Sequence, residues 1–168
     1  MALYYFDASA LVKYYVTEPG STWVRYLVED WDTRTARWAH TIFAAEITRV
    51  EVAAGLAVIE RTGRIRRAQR DREYRRFASQ FVYRYTVIPL TTADLEYEAD
   101  LTQHHPLKAY DAVQLAVALR YASILAALGL PLTFVSGDAT LLAAAQAEGL
   151  PTENPFDHVA PEDTPGPP

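Results

Sequence analysis

Residues 3–15 read Leu-Tyr-Tyr-Phe-Asp-Ala-Ser-Ala-Leu-Val-Lys-Tyr-Tyr, and this stretch decides the fold. Its first four residues are apolar or aromatic, a pattern that predicts a short buried strand. Asp7 closes that strand, and residues 8–16 have a helical pattern. A buried strand that passes directly into a helix is the first half of a β–α–β unit, the building block of parallel sheets.

The same alternation of short apolar runs and longer helical patterns continues along the chain. Helices are predicted over residues 21–30, 46–62, 64–81, 91–103, 108–128 and 138–148, with Ser21 and either Thr91 or Thr92 as N-caps. Strands are predicted over residues 38–43, 85–89, 131–136 and 151–153. This order predicts an α/β fold in which helices cover a parallel sheet, with its chemistry outside the carboxyl ends of the strands.

Composition and length indicate one soluble domain. The chain has 168 residues, of which 50% are hydrophobic and 22% charged. No apolar run reaches the roughly 18–20 residues that span a bilayer, and the N-terminus lacks the basic start of a signal peptide. With no cysteine, disulfides and thiolate metal sites are excluded. We therefore expect a cytoplasmic protein without a membrane segment, consisting of a domain over residues 1–155 and a flexible, proline-rich tail over 156–168.

The charge is unevenly distributed. The net charge is −5, yet residues 61–76 contain eight arginines and only two acids. These arginines are Arg61, Arg64, Arg66, Arg67, Arg70, Arg72, Arg75 and Arg76. Two interpretations stay open for this basic segment, a solvated helix or a surface that contacts phosphates.

Four acids occupy places where a carboxylate is costly or conspicuous. Asp7 and Asp138 each follow a predicted strand, Asp111 lies near the start of an apolar helix, and Glu51 shares a helix face with apolar residues. Each has a structural alternative: an N-cap for Asp7 and Asp138, a helix-start acid for Asp111, an arginine partner for Glu51. Converging carboxylates would raise each other's pKa, and a hard divalent cation removes that repulsion.

Several segments resemble PIN-domain proteins, particularly the VapC-type toxins. The opening, residues 5–15 with Glu18-Pro19-Gly20-Ser21 behind it, is similar to the start of that family. Residues 47–52, 109–116 and 134–138 look like the segments that bear the family's second, third and fourth acids. The resemblance covers residues 3 to about 155 and implies a three-layer fold with a central, mostly parallel sheet of four to five strands flanked by helices.

The resemblance also implies an activity. It points to a metal-dependent endoribonuclease, with Asp7, Glu51, Asp111 and Asp138 as catalytic residues and ligands of Mg²⁺ (or Mn²⁺). The expected partners are an RNA substrate, a small VapB-type antitoxin and a second copy of the chain in a homodimer. Our alternative is a non-catalytic PIN-like module for binding or assembly.

Three further residues are candidates for the site. Ser9 is placed either to hydrogen-bond a ligand or water, or to serve as a helix-start hydroxyl. Glu46 competes with Glu51, because five residues along a helix put the two side chains about 140° apart, so both cannot point into one pocket. Lys13 is a candidate for the rim of the pocket.

Overall fold

In a computed structural model of the chain, residues 2–160 are described. Seven strands are found within this range: β1 Ala2–Phe6, β2 Trp31–Asp32, β3 Arg37–Trp38, β4 His40–Ala45, β5 Thr86–Ile88, β6 Leu132–Val135 and β7 Thr152–Glu153. The α-helices of the same range are α1 Ala8–Tyr15, α2 Ser21–Glu29, α3 Thr48–Arg61, α4 Arg67–Tyr83, α5 Thr92–His104, α6 Ala109–Ala126 and α7 Ala139–Ala147. A short 3₁₀ helix, Pro155–Asp157, follows β7.

The central sheet has five strands in the order β5-β4-β1-β6-β7, and each neighbouring pair is parallel. β1 lies in the middle, where Tyr5 is paired with Phe43 of β4 and with Phe134 of β6. Because all five strands run in one direction, their carboxyl ends meet at one edge. The predicted α/β fold with a parallel sheet is confirmed.

Helices cover both faces of the sheet. On one face, Phe6 packs in a core with residues of α1, α2, α3 and α4. On the other, Tyr5 packs in a second core with residues of α5, α6 and α7. Successive side chains of β1 thus enter opposite layers, as the pleat requires, and the aromatic run of β1 is apolar throughout because both faces are buried.

The predicted strand over residues 38–43 was wrong at its start. Arg37 and Trp38 belong to β3, which turns back on β2 as an antiparallel hairpin, and the sheet strand begins at His40. The backbone N–H of Ala39 donates to the carbonyl of Asp30, which closes the hairpin. The rings of Trp31 and Trp38 pack edge to face across it, a cross-strand contact that residue pattern alone does not distinguish from a longer strand.

Ser21 is not the N-cap that the sequence predicted. Gly20 occupies that position with φ of 83°, and the Ser21 hydroxyl donates to the carbonyl of Lys13. A side chain at residue 20 would collide with the chain, since an ideal Cβ there would lie 2.1 Å from the carbonyl oxygen of Pro155. The α1–α2 turn is therefore packed against the start of the 3₁₀ helix. By contrast, the predicted N-cap Thr91 is confirmed, in a capping box with Asp94.

Two helices begin later than predicted, α3 at Thr48 and α4 at Arg67. None of the helices within residues 2–160 combines the length and the apolar character needed to cross a membrane. The proposed 156–168 tail is only partly described. Phe156 and His158 contact the domain, through Lys13 and Trp23 respectively, and residues 161–168 lie outside the described range.

Candidate active site

Asp7 lies at the carboxyl end of the central strand β1, with only 5% of its surface exposed. Its Oδ1 accepts a hydrogen bond of 2.8 Å from the backbone N–H of Ala10 and thereby caps α1. The hydroxyl of Ser9 donates to the same carboxylate, and the hydroxyl of Ser136 donates to Oδ2 at 2.8 Å. The N-cap alternative is therefore correct as a local role, and the same contacts hold the carboxylate in one orientation at the edge of the sheet.

Ser9 and Ser136 connect the loop after β6 to the Asp7 carboxylate through hydrogen bonds. The backbone N–H of Gly137 donates to Ser9 Oγ at 2.7 Å, and that of Asp138 donates to Ser136 Oγ at 3.0 Å. The loop after β6 is thus attached to the Asp7 carboxylate through two hydroxyls. Ser9 acts on the neighbouring acid as well as on the helix start.

Glu51 reaches the same region from α3. Its Oε2 accepts a hydrogen bond from Nε2 of Gln114, which also donates to Thr48 Oγ1 at 2.8 Å. The Oε1 of Gln114 accepts from the buried Tyr5 hydroxyl at 2.7 Å. Glu51 is therefore held by a neutral amide and not by the arginine of our structural alternative, so its charge stays uncompensated.

The remaining two acids come from α6 and α7. Asp111 lies in the first turn of α6 and is half-buried. Asp138 caps α7, its Oδ1 accepting from the backbone N–H groups of Thr140 and Leu141 at 2.8 and 3.1 Å. Both structural alternatives for these acids hold, and neither prevents them from acting at the edge.

The acids influence one another electrostatically. Burial, with a smaller contribution from the Asp111 charge, raises the pKa of Asp7 to about 6. Burial and the charges of Asp7 and Asp111 raise the pKa of Glu51 to about 7, and burial and Asp138 raise that of Asp111. Asp7, Glu51 and Asp111 thus influence one another, and Asp138 influences Asp111, at the edge where parallel strands put their chemistry.

The two rival candidates differ in their surroundings. Glu46 lies in the turn after β4, and its carboxylate accepts from the backbone N–H of Leu90, next to the edge strand β5. Glu51, in contrast, is coupled to Asp7 and Asp111. Lys13 is almost fully buried, with its ammonium bound to Glu18 and to the carbonyl of Pro19, each at 3.2 Å.

The donor set suits a hard divalent cation. Carboxylate and hydroxyl oxygens are the ligands that Mg²⁺ and Mn²⁺ prefer. Between residues 2 and 160 no lysine or arginine forms an ion pair with any of the four acids. Burial raises the pKa of Asp111, and Lys108 opposes this effect through its charge and a backbone hydrogen bond. In that same range no three histidine, aspartate or glutamate side chains are already gathered as a ligand shell.

The family profile of the PIN domain matches residues 4–132, about three quarters of the chain. The chain belongs to the PIN-domain family. The match spans β1 to the start of β6 and includes Asp7, Glu51 and Asp111. The resemblance seen in the sequence motifs is confirmed at the level of the family.

Solved structures share the PIN fold at low sequence identity. FitAcB from Neisseria gonorrhoeae is 16% identical, with 92% of this chain and 99% of that chain covered and a TM-score of 0.60. VapBC2 from Rickettsia felis, bound to a DNA fragment from their promoter, is 15% identical over 90% and 98% of the two chains, with a TM-score of 0.56. A toxin–antitoxin complex from Klebsiella pneumoniae is 19% identical over 93% and 98%, with a TM-score of 0.52. No curated protein sequence matches this PIN domain significantly.

The sequence reasoning missed the residues that support the acids. Ser136 and Gln114 lie inside the segments that resembled the family, yet neither was assigned a role. Gln114 follows Asp111 by three residues, hence on the same side of the helix. Ser136 ends β6 as Asp7 ends β1, and that parallel was the available signal.

Proposed function

We propose that this PIN-domain protein is a metal-dependent endoribonuclease and the toxin of a VapBC-type toxin–antitoxin pair. One observation carries the proposal: Asp7 is buried at the carboxyl edge of the sheet, is coupled to two further carboxylates and has no cationic partner within residues 2–160. A carboxylate kept in this state costs stability. Such a cost is typical of a site whose charge is completed by a ligand.

Asp7, Glu51 and Asp111 would hold Mg²⁺ or Mn²⁺, with Asp138 as a fourth acid. When bound, the cation lowers the pKa of a water molecule and neutralises charge on the phosphate. Ser9 and Ser136 keep the Asp7 carboxylate oriented, and Gln114 does the same for Glu51. One oxygen of Asp138 accepts hydrogen bonds as the N-cap of α7, and burial and the charge of Asp138 together raise the pKa of Asp111.

The reaction is hydrolysis of a phosphodiester. The oxygen of water forms a bond to phosphorus, one P–O ester bond breaks, and the leaving oxygen takes up a proton. The raised pKa values of Asp7 and Glu51 apply to the metal-free chain. Near neutral pH these two acids therefore bind protons, and a cation would displace those protons. The carboxylates therefore exchange protons for the metal as the site fills.

The basic segment adjoins this edge. Arg64 binds Glu18 at 2.7 Å, and Glu18 also binds Lys13 beside Ser9. Further along, the Arg76 guanidinium donates a hydrogen bond of 2.7 Å to the Tyr14 hydroxyl and lies over the ring of Tyr14 in a cation–π contact. Arg66, Arg67 and Arg75 are exposed. These exposed arginines offer a surface for RNA phosphates or for the antitoxin, since an acidic site cannot attract phosphates unaided.

The fold similarity supports the toxin assignment. VapBC2 from Rickettsia felis and the Klebsiella pneumoniae toxin–antitoxin complex share the fold over nearly the whole chain. A VapB-type antitoxin would neutralise the acidic edge with a basic side chain, and a homodimer remains part of the proposal.

Cleavage of RNA by the purified chain tests the proposal. With Mg²⁺ or Mn²⁺ present we expect cleavage that EDTA abolishes and that Asp7→Asn and Asp111→Asn each reduce by about 10³-fold, since several kcal/mol of charge stabilisation are lost. Asp100→Asn, an exposed acid of α5, is the matched control and should cleave normally. Unchanged cleavage in both site variants would contradict the proposal, and no cleavage by the unmodified chain would favour the non-catalytic alternative.

A further inference from the structure

A cleft of about 400 Å³ opens beside Glu51, one of the four acids. Ser9 and Glu51, which belong to the acidic edge, also line this cleft, so the two spaces are continuous. Its other walls are mostly apolar and come from α1, α3 and the 3₁₀ helix: Ala8, Val12, Val58, Ile59 and Phe156. A volume of this size is within the range of small-molecule sites.

Phe156 supplies an aromatic surface in the cleft. Its side chain is large and apolar, yet Phe156 is 45% exposed. The ammonium of Lys13 lies 3.6 Å from the ring centroid and covers one face. One edge of the ring lies close to Gly137, where an ideal Cβ would be 3.3 Å from Phe156 Cε2. The preceding residue, Pro155, is packed on Gly20 and anchors the segment, so the ring is positioned while part of its surface stays accessible.

Gly55 keeps the cleft open on the opposite wall. It follows Glu51 by about one turn of α3 and lines the cleft. Glycine within a helix costs roughly 0.5–1 kcal/mol relative to alanine. An ideal Cβ at residue 55 would meet only Val12, at an ordinary contact distance of 3.4 Å. The backbone therefore tolerates a side chain there, and a long one would fill the space.

We infer that this cleft binds one unpaired base of the RNA substrate, adjacent to the phosphate held at the acidic edge, with Phe156 as the stacking partner. The inference rests on the proposed ribonuclease function and adds where the substrate is held. An acidic edge does not attract RNA phosphates unaided, so a contact to a base adds affinity beyond what the exposed arginines provide. An accessible aromatic ring in an apolar cleft is suited to the face of a base, and such stacking is tolerant of sequence. The continuity through Ser9 and Glu51 favours a nucleotide of the same strand over an unrelated ligand.

A double-mutant cycle between the ring and the base is the first experiment. Short RNAs are compared that carry either a base or an abasic ribose at each position next to the cleavage site. With the intact base, Phe156→Ala should reduce kcat/KM by roughly 10-fold to 100-fold, mainly through KM. At the one position whose base enters the cleft, RNA that lacks this base should be cut at the same rate by the wild-type chain and by Phe156→Ala.

Two further variants separate stacking from packing. Phe156→Leu keeps apolar volume without an aromatic face and should behave like Phe156→Ala, whereas Phe156→Trp should retain or improve binding. Gly55→Leu should block the cleft without replacing the ring or any of the four acids. Circular dichroism and the melting temperature check that each variant is folded.

A binding readout makes the inference independent of turnover. In an Asp111→Asn background, which prevents cleavage, RNA with 2-aminopurine at the critical position should lose fluorescence on binding, and Phe156→Ala should abolish that quenching. If base removal slows cleavage by the wild-type chain and by Phe156→Ala to the same extent, the inference is overturned and the ribonuclease proposal stands. Quenching without any cleavage would support the base site and overturn the nuclease. Normal cleavage and binding by Phe156→Leu would also overturn stacking on an aromatic ring.

Discussion

Asp7 and Asp94 are two buried aspartates whose pKa values are shifted in opposite directions. Only 5% of Asp7 and 3% of Asp94 is exposed, and both cap helices. Asp94 receives two hydrogen bonds from Arg120, of 2.6 and 2.9 Å, and although burial opposes it, this pairing lowers the pKa of Asp94. Asp7 receives hydroxyls and a backbone N–H, and burial raises its pKa to about 6.

The two aspartates differ in their counter-charge and not in how deeply they are buried. Asp94 carries its counter-charge inside the chain, so the pair is complete and serves the packing of α5 on α6. Asp7 is oriented just as firmly, but burial without a counter-charge, with a smaller contribution from the Asp111 charge, makes its ionised form costly. A buried acid whose hydrogen bonds are satisfied and whose charge is not is a candidate ligand for a cation.

A large difference in cleavage should separate the two glutamates that competed for the site. Glu51→Gln should lower metal-dependent RNA cleavage by about 10²-fold, because one carboxylate of the cluster is lost. Glu46→Gln should change cleavage less than threefold or so, since its contact is to the Leu90 backbone. Cleavage rates under single-turnover conditions decide between them. The reverse order of effects would move Glu46 into the site.

Stability should respond to the two aspartates with opposite signs. Asp94→Asn removes the charge that pairs with Arg120 and should lower the free energy of unfolding by about 2–3 kcal/mol. Asp7→Asn removes an uncompensated buried charge and should raise the stability of the metal-free chain at pH 7.5 by about 1–2 kcal/mol. Urea unfolding in EDTA measures both. A loss of stability in both variants would mean that Asp7, like Asp94, is a structural acid.

The pH dependence sharpens the same contrast. Since the pKa values of Asp7 and Glu51 are raised in the folded chain, to about 6 and 7, the folded state binds protons more tightly than the unfolded state. Their contribution is present below about pH 4 and is lost as the pH rises to about 7. Asp94 acts in the opposite sense, its contribution being lost as the pH falls below its ordinary pKa. Metal-free unfolding free energies should therefore decline from pH 5 to pH 7.5, and Asp7→Asn should flatten the decline. An unchanged slope in that variant would contradict the assignment.

The smallest effect concerns the basic segment. Replacing the exposed Arg66, Arg67 and Arg75 with glutamine should remove about two phosphate contacts. The slope of log affinity against log salt concentration should then become less negative, by roughly 0.9 per lost contact for a duplex and 0.7 for a single strand. Arg34→Gln with Arg37→Gln, on the β2–β3 hairpin, is the control. An unchanged slope would assign the segment to the antitoxin or to packing.

The sequence predicted the sheet and its acids because both follow from local patterns. Apolar runs that end in an acid identified two strands of the parallel sheet, at Asp7 and Asp138, and Glu51 and Asp111 lie in helical segments that also carried the family resemblance. The β2–β3 hairpin was missed because two-residue strands have no periodicity and depend on the contact between Trp31 and Trp38. The supports of the acids, Ser136 and Gln114, were missed because they act across more than 60 residues of sequence.

The cap alternatives show a second limit. Pattern reasoning treated an N-cap and a metal ligand as competing roles for Asp7 and Asp138, whereas a carboxylate has two oxygens and can serve in both. The choice between Glu46 and Glu51 depended on where α3 begins, at Thr48. Helix ends are the positions that sequence patterns locate least well.

The most direct test of the central claim is calorimetric titration of Mn²⁺ into the metal-free chain and into Asp7→Asn and Asp94→Asn. If the acidic edge is completed by a cation, the wild-type chain and Asp94→Asn bind Mn²⁺ with similar affinity, and Asp7→Asn loses binding by at least tenfold. Equal binding by Asp7→Asn and the wild-type chain, or no binding by the wild-type chain, would contradict the account.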